Sequence, residues 1–149
     1  MIGDDVDAYL AIREGQFDDI IDGVEKQVIW AGEANVKTPL SIIYLHGFTA
    51  SSKEIRPVPD RVAAALGANL YFTRFTGHGR QPSAMADANV GRWMDDVGEA
   101  IKIGEQIGET VIIMATSTGG TLAAAAALDK GAMENIEGII FVSPNFAVN

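Results

Sequence analysis

Thr110-Val111-Ile112-Ile113-Met114-Ala115-Thr116-Ser117-Thr118-Gly119-Gly120 is the stretch whose reading decides the fold. Its first half, Thr110 to Ala115, is a short apolar run of strand character. Thr118 to Leu128, rich in alanine, then reads as a helix that starts at once. Ser117 sits at the junction. Ala115 and Gly119, two positions before it and two after, are small enough to clear a sharp strand-to-helix turn.

The same alternation extends in both directions. Upstream, Asp5 to Glu14 carries Val6, Leu10 and Arg13 on one stripe and predicts a short helix ended by Gly15. Gln27 to Ala31 predicts an edge strand. Leu40 to Leu45 (LSIIYL) is apolar on both faces, which places it inside a parallel sheet covered by helices. Glu54 to Leu66 predicts a helix facing inward through Ile55, Val58, Val62 and Leu66. Asn69 to Arg74 follows as a strand, broken by Gly77-His78-Gly79. Val90 to Ile107 predicts a long helix with Trp93, Val97, Ile101 and Ile107 inward, and Gly138 to Val142 a further strand. Strands alternating with helices imply right-handed crossovers and a mostly parallel α/β sheet flanked by helices. The run Ala123 to Ala127 lets its helix lie close to that sheet.

A serine at such a turn can be a helix N-cap. It can also be a nucleophile, because acyl transfer needs an exposed hydroxyl on a strained strand-to-helix corner, with the pattern G-x-S-x-G. Here Ala115 replaces the first glycine at the cost of one methyl group. The segment Tyr44-Leu45-His46-Gly47-Phe48-Thr49 favours the second reading. It follows a buried strand, so both half-sites lie at the carboxyl ends of strands, where ligands bind in open α/β sheets. An oxyanion hole would then use the backbone N–H groups of Phe48 and Thr118, with Gly47 letting the loop turn. The His46 ring is expected to serve as a structural hydrogen-bonding group.

From Leu40 to Asn149 the chain resembles the α/β-hydrolase superfamily, in particular bacterial esterase and monoacylglycerol-lipase-like members. The resembling pieces are LHGFTASS (Leu45 to Ser52), FTGHGR (Phe75 to Arg80), the helix with Trp93 and Asp96, MATSTGG, and FVSPN (Phe141 to Asn145). The resemblance implies Ser117 as nucleophile in carboxylic-ester hydrolysis through an acyl-enzyme, the Phe48 and Thr118 amides as oxyanion hole, and His46, Gly47, His78 and Gly119 as supporting residues. It also implies no cofactor. A serine rather than an aspartate argues against haloalkane dehalogenase or epoxide hydrolase chemistry.

The base and its orienting carboxylate do not follow Ser117. In this fold the order is Ser, then Asp or Glu, then His. Only Asp129, Glu134 and Glu137 come after the serine, no histidine does, and Asn145 stands where some members place the acid. The expectation is therefore that residues 1–149 form the N-terminal part of a single domain, inactive alone, lacking its C-terminal strands and cap. Residues 1–25 would be a helical lead-in and 26–149 the sheet and helices. The open edge at Gly138 to Val142 suggests association with another copy or with a missing C-terminal portion. A non-catalytic binding or assembly domain is the alternative, and C–C bond hydrolysis or acyl transfer could use the same corner.

Composition narrows the partners. A net charge of −9 from 11 basic and 20 acidic residues argues against nucleic acid and membrane surfaces; the small acyl ester expected as partner is what the resemblance implies. Absence of cysteine removes disulfides and thiolate chemistry and agrees with a cytoplasmic location. Two histidines without a carboxylate cluster at ligand spacing argue against a metal. Gly119-Gly120 does not fit a dinucleotide fingerprint. Trp30 and Trp93 read as core aromatics, and Asp95-Asp96 as a solvated helix face in which Asp96 could bond a loop.

Overall fold

The computed structural model describes residues 2–147. Strands β1 (Gln27–Ile29), β2 (Thr38–Leu45), β3 (Asn69–Phe72), β4 (Gly108–Thr116) and β5 (Ile136–Val142) form one sheet in the order β1-β3-β2-β4-β5. All neighbours run parallel except β1, which pairs antiparallel with β3 at the edge. Parallel neighbours need crossovers. Helices α2 (Val58–Leu66), α3 (Val90–Ile107) and α4 (Thr118–Ala126) supply them, and α1 (Val6–Glu14) precedes the sheet.

Side chains alternate along the central strands and divide into two apolar clusters. Ile43, Leu45, Tyr71, Val111, Ile113 and Ala115 join Leu10 of α1, Val97, Ala100, Ile103 and Ile107 of α3, and Leu122, Ala123 and Ala126 of α4. Ile42, Tyr44, Leu70, Phe72 and Met114 form the other cluster with Ala63 of α2. Helices thus cover both faces, which is why LSIIYL and TVIIMA lack a polar face. The alanines at 123 and 126 bring α4 down onto the sheet, as expected of that run.

Several expectations need correction. The helix expected from Glu54 begins only at Val58, because a 3-10 turn at Ser52–Glu54 and Pro57 interrupt it. Its inward face is Pro59, Val62 and Ala63, with Ile55 before it also packed on the core as expected, whereas Val58 and Leu66 are exposed. Strand β3 stops at Phe72, and α4 at Ala126 rather than Leu128. Trp30 and Trp93 pack against the core from its margin and are only partly buried. Asp96 is not solvated: it is buried, and it accepts the Thr76 N–H at 2.7 Å, so the loop contact holds and the solvated face does not.

Candidate active site

Register places the two half-sites together. Leu45 of β2 pairs with Ala115 of β4, so two residues beyond each of these positions Gly47 stands beside Ser117. The fit is close enough that a Cβ built on Gly47 would lie 3.4 Å from the Ser117 Cβ. Gly47 is therefore needed for space. Its φ is not positive, and the left-handed residue of the loop is Thr49 (φ 57°), which corrects the expectation that Gly47 supplies the turn.

Ser117 has φ 51° and ψ −117°, a sparsely populated conformation that persists only when its surroundings over-determine it. They do so here. Its N–H donates to Val142 O at 3.1 Å, and its carbonyl accepts from Thr121 at 3.2 Å and Asn145 at 3.4 Å. Ser117 stands at the N-cap of α4, yet its side chain makes no capping bond, so the hydroxyl is not used for helix termination. A Cβ on Gly119 would fall 2.3 Å from Leu45 O and 2.6 Å from His46 O, both backbone atoms. Only glycine lets α4 start against the end of β2. The Thr118 N–H has no partner among the described residues, and it sits at the positive end of the α4 dipole.

The loop after β2 is held at three points. Gly47 N–H donates to Glu54 Oε1 at 2.7 Å, Thr49 N–H to His78 Nε2 at 3.1 Å, and Ala50 N–H to Gly47 O at 3.2 Å. The last bond closes a turn with Phe48 at its second position and Thr49 at its left-handed third. The Phe48 and Thr118 amides are both without a partner among the described residues, as are those of Gly119 and Gly120 in the first turn of α4.

Both histidines are fully committed. His46 Nε2 accepts the Phe75 N–H at 3.0 Å, so its other nitrogen, 2.8 Å from Gly47 O, carries the proton. Burial pushes the His46 pKa down to about 3. His78 accepts from Thr49 and lies 3.3 Å from Thr76 O, with burial again lowering its pKa. The two rings stack edge-on at 4.9 Å, and Phe48 and Trp93 pack against His78 at 5.9 and 5.7 Å. Neither ring bonds to Ser117. Both instead bond the backbone of the two loops, at Gly47 and Phe75 for His46 and at Thr49 and Thr76 for His78.

A buried ionic layer beneath this loop carries no signal in the sequence. Arg74 makes two bonds of 2.8 Å to Glu14 of α1 and a third, of 2.9 Å, to His78 O. Lys26 pairs with Glu99 and, at 3.5 Å, with Asp96. Burial raises the Asp96 pKa despite Lys26. At Glu99 burial acts in the same sense, but Lys26 and Tyr9 outweigh it and hold the carboxyl low. Asp96 and Trp93 hold Thr76 from both sides, taking its N–H and its carbonyl. Single charges have no period along a chain, so pattern reading could not pair them.

Residues 37–149 match the family described as serine aminopeptidase, S33. The chain belongs to this family of hydrolases. A thermostable monoacylglycerol lipase of Bacillus sp. (strain H-257) is 30% identical over 84 residues, covering 56% of this chain and 33% of the lipase. Among solved structures, one described with the metagenome-derived lipolytic enzymes LipS and LipT has a TM-score of 0.69 at 26% identity, covering 84% of this chain and 47% of that one. Est1E from Butyrivibrio proteoclasticus, solved with ferulic acid bound, shares the fold at TM-score 0.64 and 22% identity, over 83% of this chain and 50% of its own. The chain spans a third of the curated relative's length and about half that of these structures. The chain thus carries the α/β-hydrolase fold, with a mixed five-stranded sheet, and the lipolytic enzymes among its relatives are what it is similar to. Among the described residues no helix is long and apolar enough to cross a membrane.

Proposed function

We propose that Ser117 is the nucleophile of a carboxylic-ester hydrolase, with the Phe48 and Thr118 amides stabilising the oxyanion. The observation that carries this reading is the strained Ser117, its hydroxyl free of any capping bond, beside these two unpartnered amides. The hydroxyl oxygen attacks the ester carbonyl as a base removes its proton. The alkoxide leaves with a proton, and water then cleaves the acyl-serine ester. Similarity to lipolytic enzymes supports a small acyl ester as substrate. No cofactor enters this chemistry.

The base is a histidine outside these contacts, since the nitrogens of both rings here are taken up by backbone groups and neither ring bonds Ser117. A chain of residues 1–149 alone therefore turns over poorly. In the protein expressed from its whole reading frame, a fluorophosphonate should add once, at Ser117, and Ser117→Ala should abolish the adduct by intact mass. An unlabelled, folded whole-frame protein would sink the reading and leave a binding or assembly domain. The isolated chain should label on the order of 10⁶-fold more slowly, the order lost when a triad loses its base. Equal rates would show that the base lies among these residues after all.

A further inference from the structure

The Glu54 carboxylate that holds Gly47 does more than fasten one loop: it joins the two half-sites. Oε1 accepts the Gly47 N–H and the Tyr44 O–H, both at 2.7 Å. Tyr44 Oη also lies 2.9 Å from Thr116 Oγ1, where either atom could donate. An ionised carboxylate only accepts, so Tyr44 spends its proton on Glu54 and Thr116 must donate to Tyr44. Burial raises the Tyr44 pKa and keeps that phenol protonated. The result is a directed chain, Thr116 to Tyr44 to Glu54, met from the other side by Gly47. It runs from the residue before Ser117 to the residue before Phe48. Oε2 faces the same slot: a Cβ on Gly47 would lie 3.2 Å from it and 3.4 Å from the Ser117 Cβ.

We propose that Glu54 is a positioning residue that fixes the Phe48 amide relative to Ser117 by clamping Gly47 to Tyr44 and Thr116. The clamp deepens the ester-hydrolase reading and depends on it for its kinetic consequence. Gly47 and Tyr44 are buried, while Glu54 reaches in from an exposed position. Water entering after truncation can satisfy both donors, but it is itself mobile and does not hold them in register. The acceptor oxygen matters for this role and the charge does not. Indeed a carboxylate beside a developing oxyanion opposes it.

The test uses the whole-frame protein and three variants, Glu54→Ala, Glu54→Gln and Tyr44→Phe. Two quantities are read: fluorophosphonate labelling of Ser117 and hydrogen exchange of the Gly47 amide by NMR. Losing the acceptor oxygen predicts about tenfold slower labelling and about tenfold faster Gly47 exchange in Glu54→Ala. Glu54→Gln keeps an acceptor and should label at the parent rate or faster. Tyr44→Phe should slow labelling, and combining it with Glu54→Ala should add little, because both cut one chain. The clamp is overturned if Gly47 exchange in Glu54→Ala stays within about twofold of the parent, or if Glu54→Gln is as slow as Glu54→Ala; the twofold limit is well inside the bond's expected worth. If the parent itself does not label, the ester-hydrolase reading fails, while Gly47 exchange still decides whether Glu54 clamps the loop.

Discussion

Acid should unfold this protein through His46. Its folded pKa of about 3 lies below the ordinary 6.5 because the ring is fully buried. As pH falls, the unfolded chain takes up the proton first. Stability from the neutral ring is therefore complete above pH 6.5, is lost progressively between 6.5 and 3, and changes no further below that. Proton linkage gives a loss of about 2 kcal/mol at pH 5 and about 3 at pH 4. The pH 5 figure hardly depends on the folded value, since any ring that stays neutral at about pH 5 gives the same loss. His78 adds in the same direction, and Asp96, with its pKa raised, acts in the opposite one. Comparison with a non-titrating variant removes both. Urea unfolding of the parent and of His46→Gln at about pH 7.5, 6 and 5 should show the parent losing about 2 kcal/mol more across that range. Equal pH slopes would refute the assignment of a buried neutral ring. Should His46→Gln not fold, the ring proton resonance of the parent decides. It should keep its neutral shift down to about pH 4, and titration near about 6.5 would refute the assignment equally.

Two further outcomes follow from other contacts. Gly119→Ala drives a methyl group to 2.3 Å from Leu45 O, a backbone atom that cannot yield. It should destabilise by about 3 kcal/mol and abolish Ser117 labelling; a melting temperature within about 2 °C of the parent would show that α4 starts elsewhere. Glu14→Ala leaves Arg74, whose side chain is 4% exposed, without its carboxylate. A loss of about 3–5 kcal/mol in urea unfolding is expected, and one under about 1 would show that water reaches Arg74.

The central layout was legible because two-sided burial leaves a mark: LSIIYL and TVIIMA became neighbouring strands β2 and β4, and Val90 to Ile107 became α3. Ser117, Phe48 and Thr118 also fell where short-range rules put them, at one end of one sheet. The second helix was misjudged because its apolar period ran through Pro57, where the chain turns, so Val58 and Leu66 face water. Glu54 was passed over as part of that helix. Tyr44 carried the one usable hint, since a hydroxyl in a wholly apolar strand must find an acceptor. Glu14, Lys26, Arg74 and Glu99 gave no such hint, because their pairing depends on how the N-terminal lead-in lies across the sheet. That lead-in falls outside the matched residues 37–149, yet it neutralises the arginine that holds the His78 loop.

Phe48 shows how little of a residue its chemistry can require. On the proposed reading only its amide would meet the oxyanion, and the backbone on either side of that amide is held by bonds at positions 47, 49 and 50. Its side chain is 54% exposed and rests on His78 and Trp93 without anchoring the loop. If the proposed ester hydrolysis holds, selectivity and reactivity reside in different atoms of one residue. Position 48 is where the taste of such an enzyme for one acyl group over another can drift, or be redesigned, while the charge-stabilising machinery stays as it is.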